Sequence, residues 1–216
     1  MFVLYKQMNT NILGLGGPSD ELCNNINIRN LGLNNQYYKT TRYNTFNEII
    51  DYIKSYSDIK TILDIASSIG IFVYLSNKQN FICEGCDIEV LDNANDIFIE
   101  EFNRECIFKF EFDNILFLEK EYDLICSFGL THIFEYDTFV YLLKILSIKS
   151  KYCILHFNKS MIDRINNECK FVTFIHMFSD NNGGSCIFLK FNSKQITEKI
   201  YKFVRTNNGH GNIILE

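Results

Sequence analysis

Three aspartates, Asp64, Asp87 and Asp113, each follow or close an apolar, strand-like segment of the chain. The first is followed by a turn of small residues, Ala-Ser-Ser-Ile-Gly over 66–70, which lets a ligand approach the backbone closely. An acid at the end of the second strand can accept hydrogen bonds from both hydroxyls of a ribose. An acid after the third strand can accept a hydrogen bond from an exocyclic amine. Together these residues predict a cleft for an adenosine-containing cofactor.

Alternating helices and strands must position these acids. Thr45 and Glu48 form a capping box, and apolar residues at helical spacing then predict a helix over 45–56. Further helices are expected at 71–78, at 88–103 and from Asp137. Strand-like apolar segments lie between them, at 60–65, 81–86, 106–112, 122–128 and 151–157. This alternation predicts right-handed crossovers and a mostly parallel sheet, in which ligands bind beyond the carboxyl ends of the strands.

The C-terminal part has a different pattern. Two apolar segments, 170–178 and 185–191, are joined by Ser-Asp-Asn-Asn-Gly-Gly, which predicts an antiparallel hairpin. The last residues, 211–216, are compatible with a final edge strand. We expect one domain over 45–216, preceded by an extension over 1–44.

The composition excludes several classes of protein. The 216 residues carry a formal net charge of -5, and 47% are hydrophobic, which is enough for a packed core. Mild acidity argues against a dedicated nucleic-acid binder, whose surface needs clustered Lys and Arg. No apolar segment reaches the roughly 20 residues that cross a bilayer. The N-terminus lacks the features of a secretion signal. We therefore expect a cytoplasmic protein that binds neither nucleic acid nor membranes.

The eight cysteines do not have the spacing of a metal site. Only Cys83 and Cys86 form a C-x-x-C pair, and no second pair follows at zinc-finger distance. Cys83, Cys126, Cys153 and Cys186 each lie inside an apolar, strand-like segment. We expect buried thiols that act as small apolar side chains in a reducing compartment, and no metal site.

Four motifs occur in the order of a known family. They are the strand and turn ILDIASSIG (62–70), Gly85-Cys86-Asp87-Ile88, the acid Asp113, and YDLICSFGLTHIF (122–134). With these motifs, residues 45–191 resemble the class I S-adenosylmethionine-dependent methyltransferases. The resemblance implies an α/β, Rossmann-like, doubly wound fold. It comprises a mostly parallel seven-stranded sheet, helices on both faces and a C-terminal antiparallel hairpin.

The resemblance also implies the cofactor, S-adenosylmethionine, and its product, S-adenosylhomocysteine. Asp64 would lie near the amino-acid end of the cofactor, Asp87 would bind the ribose, and Asp113 would meet the adenine amine. The remaining cofactor residues implied are Ala66, Ser68 and Gly70 beneath it, Ile88, and Ser127 and Phe128 on the cleft floor. The family's turn is Gly-x-Gly-x-Gly, and here Ala66, Ser68 and Gly70 stand at the three glycine positions. The cofactor can still approach the backbone closely if neither Ala66 nor Ser68 needs a positive φ.

Methyl transfer from a sulfonium chiefly requires alignment of the acceptor, and a base only when the acceptor must lose a proton. His132 follows the fourth strand and His156 closes the fifth, so either is a candidate base. The extension is a possible lid, with Tyr37, Tyr38, Arg42 and Tyr43 as candidate acceptor contacts. The family's Pro-Pro-aromatic and Pro-Cys motifs for nucleic acids do not occur, which favours a small acceptor: a sugar, a phosphorylated intermediate or a secondary metabolite, methylated on O or N.

Two other functions remain open. A non-catalytic, methyltransferase-like binding or scaffold module would explain the altered turn. A nicotinamide-dependent oxidoreductase is disfavoured, because a pyrophosphate needs a glycine-rich helix N-terminus and this turn supplies only Gly70.

Overall fold

The structure is a computed structural model that describes residues 41–67, 70–88, 90, 94–110, 119–128, 135–157, 161–179, 185–195, 201–205 and 211–215. For residues 41–44, 157, 201–205 and 211–215 it describes the backbone alone. The helices are α1 (Thr41–Ile53), α2 (Ile71–Lys78), α3 (Asp96–Phe102), α4 (Tyr136–Lys149) and α5 (Ile162–Glu168). The strands are β1 (Thr61–Ile65), β2 (Ile82–Asp87), β3 (Ile107–Lys109), β4 (Tyr122–Ser127), β5 (Ser150–Phe157), β6 (Val172–Ser179), β7 (Ser185–Phe191), β8 (Tyr201–Arg205) and β9 (Gly211–Leu215). Within these ranges, no helix is long and apolar enough to cross a membrane.

Seven strands form one sheet in the order β3-β2-β1-β4-β5-β7-β6. The first five pair in parallel, and β7 is antiparallel to both β5 and β6. This confirms the predicted mostly parallel sheet with a C-terminal hairpin. The strand order reverses between β1 and β4, because β2 and β3 lie on one side of β1 and the later strands lie on the other. The carboxyl ends of β1 and β4 therefore flank the crevice where open α/β sheets bind ligands.

Each face of the sheet carries its own apolar core, because successive residues of a strand point to opposite faces. Ile62 of β1 packs in the core under α1, α2 and α3. Its neighbour Leu63 packs in the core under α4 and α5. The helices thus lie on both faces, as predicted. We call the face of the sheet under α1, α2 and α3 the α1 face, and the face under α4 and α5 the α4 face.

The predicted start of the first helix is wrong. Helix α1 begins at Thr41, so Thr45 lies inside the helix with 6% of its surface exposed, and the expected capping box at 45–48 does not start the helix. The buried positions Phe46, Ile49, Ile50 and Ile53 set the helical face whichever residue precedes them. The expected C-terminal strand is present as β9, which pairs with β8 in a separate two-stranded sheet.

The cysteines in the described part of the chain are free and buried, which confirms their prediction as apolar side chains. Burial raises the pKa of the Cys153 thiol well above its ordinary value, and the same cause acts on Cys126 and Cys83. These thiols stay protonated, so they are poor nucleophiles.

A buried amide fixes α2 to β2. The Asn77 side chain donates through Nδ2 to the carbonyls of Val73 and Cys83, at 2.8 Å each. Its Oδ1 accepts from the Cys83 amide at 3.2 Å and from Nη2 of Arg104 at 2.6 Å. Because these groups are largely shielded from water, this one side chain satisfies both backbone groups of Cys83. The strand it holds ends at Asp87.

We expect Asn77→Ala to lower the free energy of unfolding by about 1–3 kcal/mol, because it leaves the buried amide of Cys83 without a partner. Urea denaturation measures this change. The matched control is Asn166→Ala, at an exposed position of α5. Equal losses of unfolding free energy in the two variants would contradict the assignment of Asn77 as the hydrogen-bond partner of Cys83.

Candidate functional site

Two carboxylates lie at the carboxyl ends of adjacent strands. Asp64 is the penultimate residue of β1, and Asp87 is the last residue of β2. Asp64 is only 3% exposed, whereas Asp87 is half-buried. Both point to the α1 face by strand alternation, since Asp64 lies two positions after Ile62 and Asp87 four after Cys83, both of which pack in that core. The structure therefore brings together two of the three acids that the sequence singled out.

The turn after β1 has left-handed backbone at both ends. Ala66 has φ 59° and Gly70 has φ 76°. The Gly70 amide donates to the Ser67 carbonyl at 2.9 Å, which closes the turn, and α2 begins at the next residue. The condition set from the sequence thus fails at Ala66: this position does need a positive φ. Alanine adopts it at a cost in free energy of about 1–2 kcal/mol, and the turn keeps its shape.

Gly85 of β2 lets this turn approach the sheet. It lies opposite Asp64 in the parallel pairing of β1 and β2. A Cβ at Gly85 would lie 2.6 Å from Oγ of Ser67 and 2.8 Å from Cδ1 of Ile107, so no other residue fits without a shift. The Ser67 amide donates to the carbonyl of Cys86 at 3.1 Å and completes the contact. The motif at 85–88 predicts no separate role for Gly85, although a glycine inside a buried strand signals a close approach of the backbone.

The end of β4 contributes a hydroxyl and a ring. Ser127 is 2% exposed, and its Oγ has no hydrogen-bond partner among the described residues. Phe128, 5% exposed, packs its ring against Phe46 of α1 and Phe72 of α2, with centroids 4.8 Å apart in each case. A buried hydroxyl of this kind is a group that a bound polar ligand can satisfy.

Negative charge is concentrated at this edge of the sheet. Burial, and next the nearby charge of Asp64, raise the pKa of the Cys86 thiol to about 12. The same two causes, in the same order, raise the pKa values of Cys83 and Cys126. Asp64 is itself almost fully buried, and an ionised carboxylate in such a place favours a cationic ligand.

The two histidines in the described chain differ in setting. His156 is the penultimate residue of β5, half-buried, and pairs across the sheet with Cys186 of β7. It points to the α1 face, two positions after the core residue Ile154, as Asp64 does on β1. His176 of β6 stacks on Tyr52 at a centroid distance of 4.4 Å and an interplanar angle of 17°. His156 thus lies at the predicted edge, and His176 is a packing residue.

The other predicted site residues are placed only in part. Ile88 follows β2 with 39% of its surface exposed. Arg42 and Tyr43 lie in the first turn of α1, where the backbone alone is described. Tyr37, Tyr38, Ser68, Asp113 and His132 lie outside the described residues. Within the described ranges, no group of three or more His, Cys, Asp or Glu side chains is placed to hold a metal ion.

No protein-family model matches the chain, and no curated protein matches its sequence. Solved structures do match. Magnesium protoporphyrin IX methyltransferase (ChlM) from Synechocystis PCC 6803, crystallised with bound SAM, is 13% identical with a TM-score of 0.58; the match covers 89% of this chain and 96% of that one.

Two further structures have the same architecture. The methyltransferase domain of bacterial CtHen1-C is 14% identical with a TM-score of 0.55, over 71% of this chain and 100% of that one. The ribosomal protein L11 methylase from Lactobacillus delbrueckii subsp. bulgaricus is 13% identical with a TM-score of 0.52, over 74% of this chain and 80% of that one. The chain therefore has the class I S-adenosylmethionine-dependent methyltransferase fold, as the motifs indicated.

Opposite substitutions test the turn. We expect Ala66→Gly to raise the free energy of unfolding by about 0.5–1 kcal/mol, because glycine adopts positive φ without strain but costs more backbone entropy. We expect Gly70→Ala to lower it by at least about 1 kcal/mol, since φ is positive there and a Cβ would lie 2.5 Å from Cδ1 of Ile107. Denaturant titration measures both, and changes of the same sign would contradict the turn geometry.

Proposed function

We propose that the protein is an S-adenosylmethionine-dependent methyltransferase that acts on a small molecule. The observation that carries the proposal is the placement of Asp64 and Asp87 on one face, at adjacent strand ends beside the point where the strand order reverses. The solved structure of ChlM with bound SAM supports the choice of cofactor. S-adenosylmethionine carries a sulfonium and supplies an activated methyl group, so the chain's own residues need only bind, orient and exclude water.

Each part of this cofactor has residues that fit it. Asp87, half-buried at the end of β2, accepts the two ribose hydroxyls, and the exposed Ile88 beside it covers the adenine. Asp64 favours the positive charge of the amino-acid end. Ala66, Ser68 and Gly70 form the turn beneath the cofactor, and Ser127 offers its buried hydroxyl. Asp113, which we assign to the adenine amine, completes the set.

We propose that the acceptor presents a hydroxyl to His156. This imidazole belongs to β5 and lies on the same face of the sheet as Asp64 of β1. Strand β4 lies between β1 and β5, and the strand order reverses between β1 and β4. A base is needed only for an acceptor that must lose a proton, and imidazole exchanges protons near neutral pH. His132 is the alternative base. Tyr37, Tyr38, Arg42 and Tyr43, from the extension over 1–44, would contact the acceptor.

A small acceptor is the finer part of this proposal. The structures of the same fold include methyltransferases named for magnesium protoporphyrin IX and for a ribosomal protein, so the fold leaves the acceptor open. The net charge of -5 favours a small molecule over a nucleic acid. The free, buried cysteines are consistent with action in the cytoplasm.

Calorimetry with S-adenosylhomocysteine tests the cofactor. We expect Asp87→Ala to weaken binding about tenfold or more, because hydrogen bonds to a charged group contribute about 1.5–3 kcal/mol. The matched control, Asp163→Ala on α5, removes an exposed carboxylate and leaves affinity unchanged. Binding of NAD in place of S-adenosylhomocysteine would indicate an oxidoreductase. Absence of binding to either would favour the scaffold module.

Methyl transfer from labelled S-adenosylmethionine to a panel of small hydroxyl and amine compounds tests the base. We expect His156→Gln to lower kcat about 10²–10⁴-fold with the acceptor so identified, without changing the affinity for S-adenosylhomocysteine. The control is His176→Gln, which changes the other described histidine and leaves kcat near that of the unaltered protein. A fall in kcat for the control alone would contradict this role of His156.

A further inference from the structure

Three buried phenyl rings meet in the core of the α1 face. The ring centroids of Phe46 and Phe128 are 4.8 Å apart, those of Phe72 and Phe128 are 4.8 Å apart, and those of Phe46 and Phe72 are 5.3 Å apart. Each ring therefore touches the other two. None is more than 9% exposed. We call these residues the phenylalanine triad.

Each ring of the triad comes from a different functional segment. Phe72 lies in the first turn of α2, two positions after the left-handed Gly70 that ends the candidate cofactor turn. Phe128 directly follows Ser127 at the end of β4. Phe46 comes from α1, which is not itself one of the candidate cofactor segments. The triad thus connects α1 directly with α2, just after the candidate cofactor turn, and with the end of β4.

The other half of α1 packs elsewhere. Tyr52, one turn and a half further along, stacks on His176 of β6 and makes edge contacts with Phe178 and Phe188, at centroid distances of 5.4 and 6.0 Å. These partners belong to β6 and β7, on the far side of β5 from the switch point. Helix α1 therefore spans the α1 face from the hairpin strands to the crevice, passing over the strand that carries His156.

From this arrangement we propose that Phe46 is a positioning residue, which couples the placement of α1 to occupancy of the cofactor site. The inference rests on the proposed function. Phe72 follows a segment that would contact the cofactor, and Phe128 belongs to another, so a movement of those segments on binding reaches both rings. Phe46 packs on both rings, so it shifts with them. Because protein interiors are close-packed, a shift of one ring moves its neighbours.

The coupling has a consequence for the order of binding. Two of the residues that we assign to the acceptor, Arg42 and Tyr43, lie in the first turn of α1. A cofactor that fixes α1 through Phe46 therefore also fixes the backbone of these two residues. The acceptor then binds to a surface that the cofactor has arranged, and by linkage the acceptor strengthens cofactor binding by the same factor.

Hydrogen exchange of the full chain, with and without S-adenosylhomocysteine, tests this coupling. We expect the ligand to slow exchange of the α1 amides in the unaltered protein. We expect Phe46→Leu to weaken ligand binding about fivefold or more and to abolish the slowing in α1, because leucine keeps an apolar contact but loses the ring packing.

The matched control is Phe191→Leu, which truncates a ring of similar burial, 7% exposed, in the core of the opposite face. It leaves both the affinity and the protection of α1 unchanged. If the ligand binds the unaltered protein without slowing exchange in α1, or binds Phe46→Leu with unchanged affinity, the coupling is overturned and the proposed function stands. If the unaltered protein does not bind the ligand, the proposed function fails and the coupling fails with it. If Phe46→Leu does not fold, the hydrogen-exchange data on the unaltered protein decide whether the coupling holds, according to whether the ligand slows exchange in α1.

Discussion

A carboxylate buried at the end of a parallel strand is the constraint on which this site depends. Asp64 is 3% exposed and lies on β1, between β2 and β4. It is near the carboxyl end of the strand, beside the point where the strand order reverses. A charge at that depth is retained only where hydrogen bonds or an opposite charge compensate for lost hydration. Two features surround this carboxylate: Gly85 lets the turn lie close to the sheet, and the neighbouring Cys86 thiol remains protonated.

The turn shows how a motif can change residues and keep its geometry. Close approach to a ligand depends on backbone conformation and small volume, and glycine is the usual residue because it supplies both. At Ala66 the chain keeps the small volume and pays for the left-handed conformation with strain, whereas Gly70 supplies both properties. Strain of this kind persists where neighbouring structure holds it, here through the contact of Ser67 with β2.

Much of the fold could be predicted from the sequence, because alternation of apolar strands and amphipathic helices specifies a parallel sheet almost by itself. The positions of Asp64 and Asp87 followed, since the end of a strand places a residue on a known edge. Three features could not be predicted. The start of α1 depends on packing of Phe46 and Ile49 more than on a capping pattern, the backbone of Ala66 depends on its contacts, and the pairing of β9 depends on β8, which the sequence pattern did not indicate.

The phenylalanine triad shows why contacts distant in sequence escape such an analysis. Phe46, Phe72 and Phe128 are ordinary apolar residues in their own segments, and no local pattern distinguishes them from other core residues. Their importance lies in where three segments converge, which only the sheet order determines. Residues of α1, of α2 and of the end of β4 share one core, so in a close-packed interior a shift of one of these segments displaces the others.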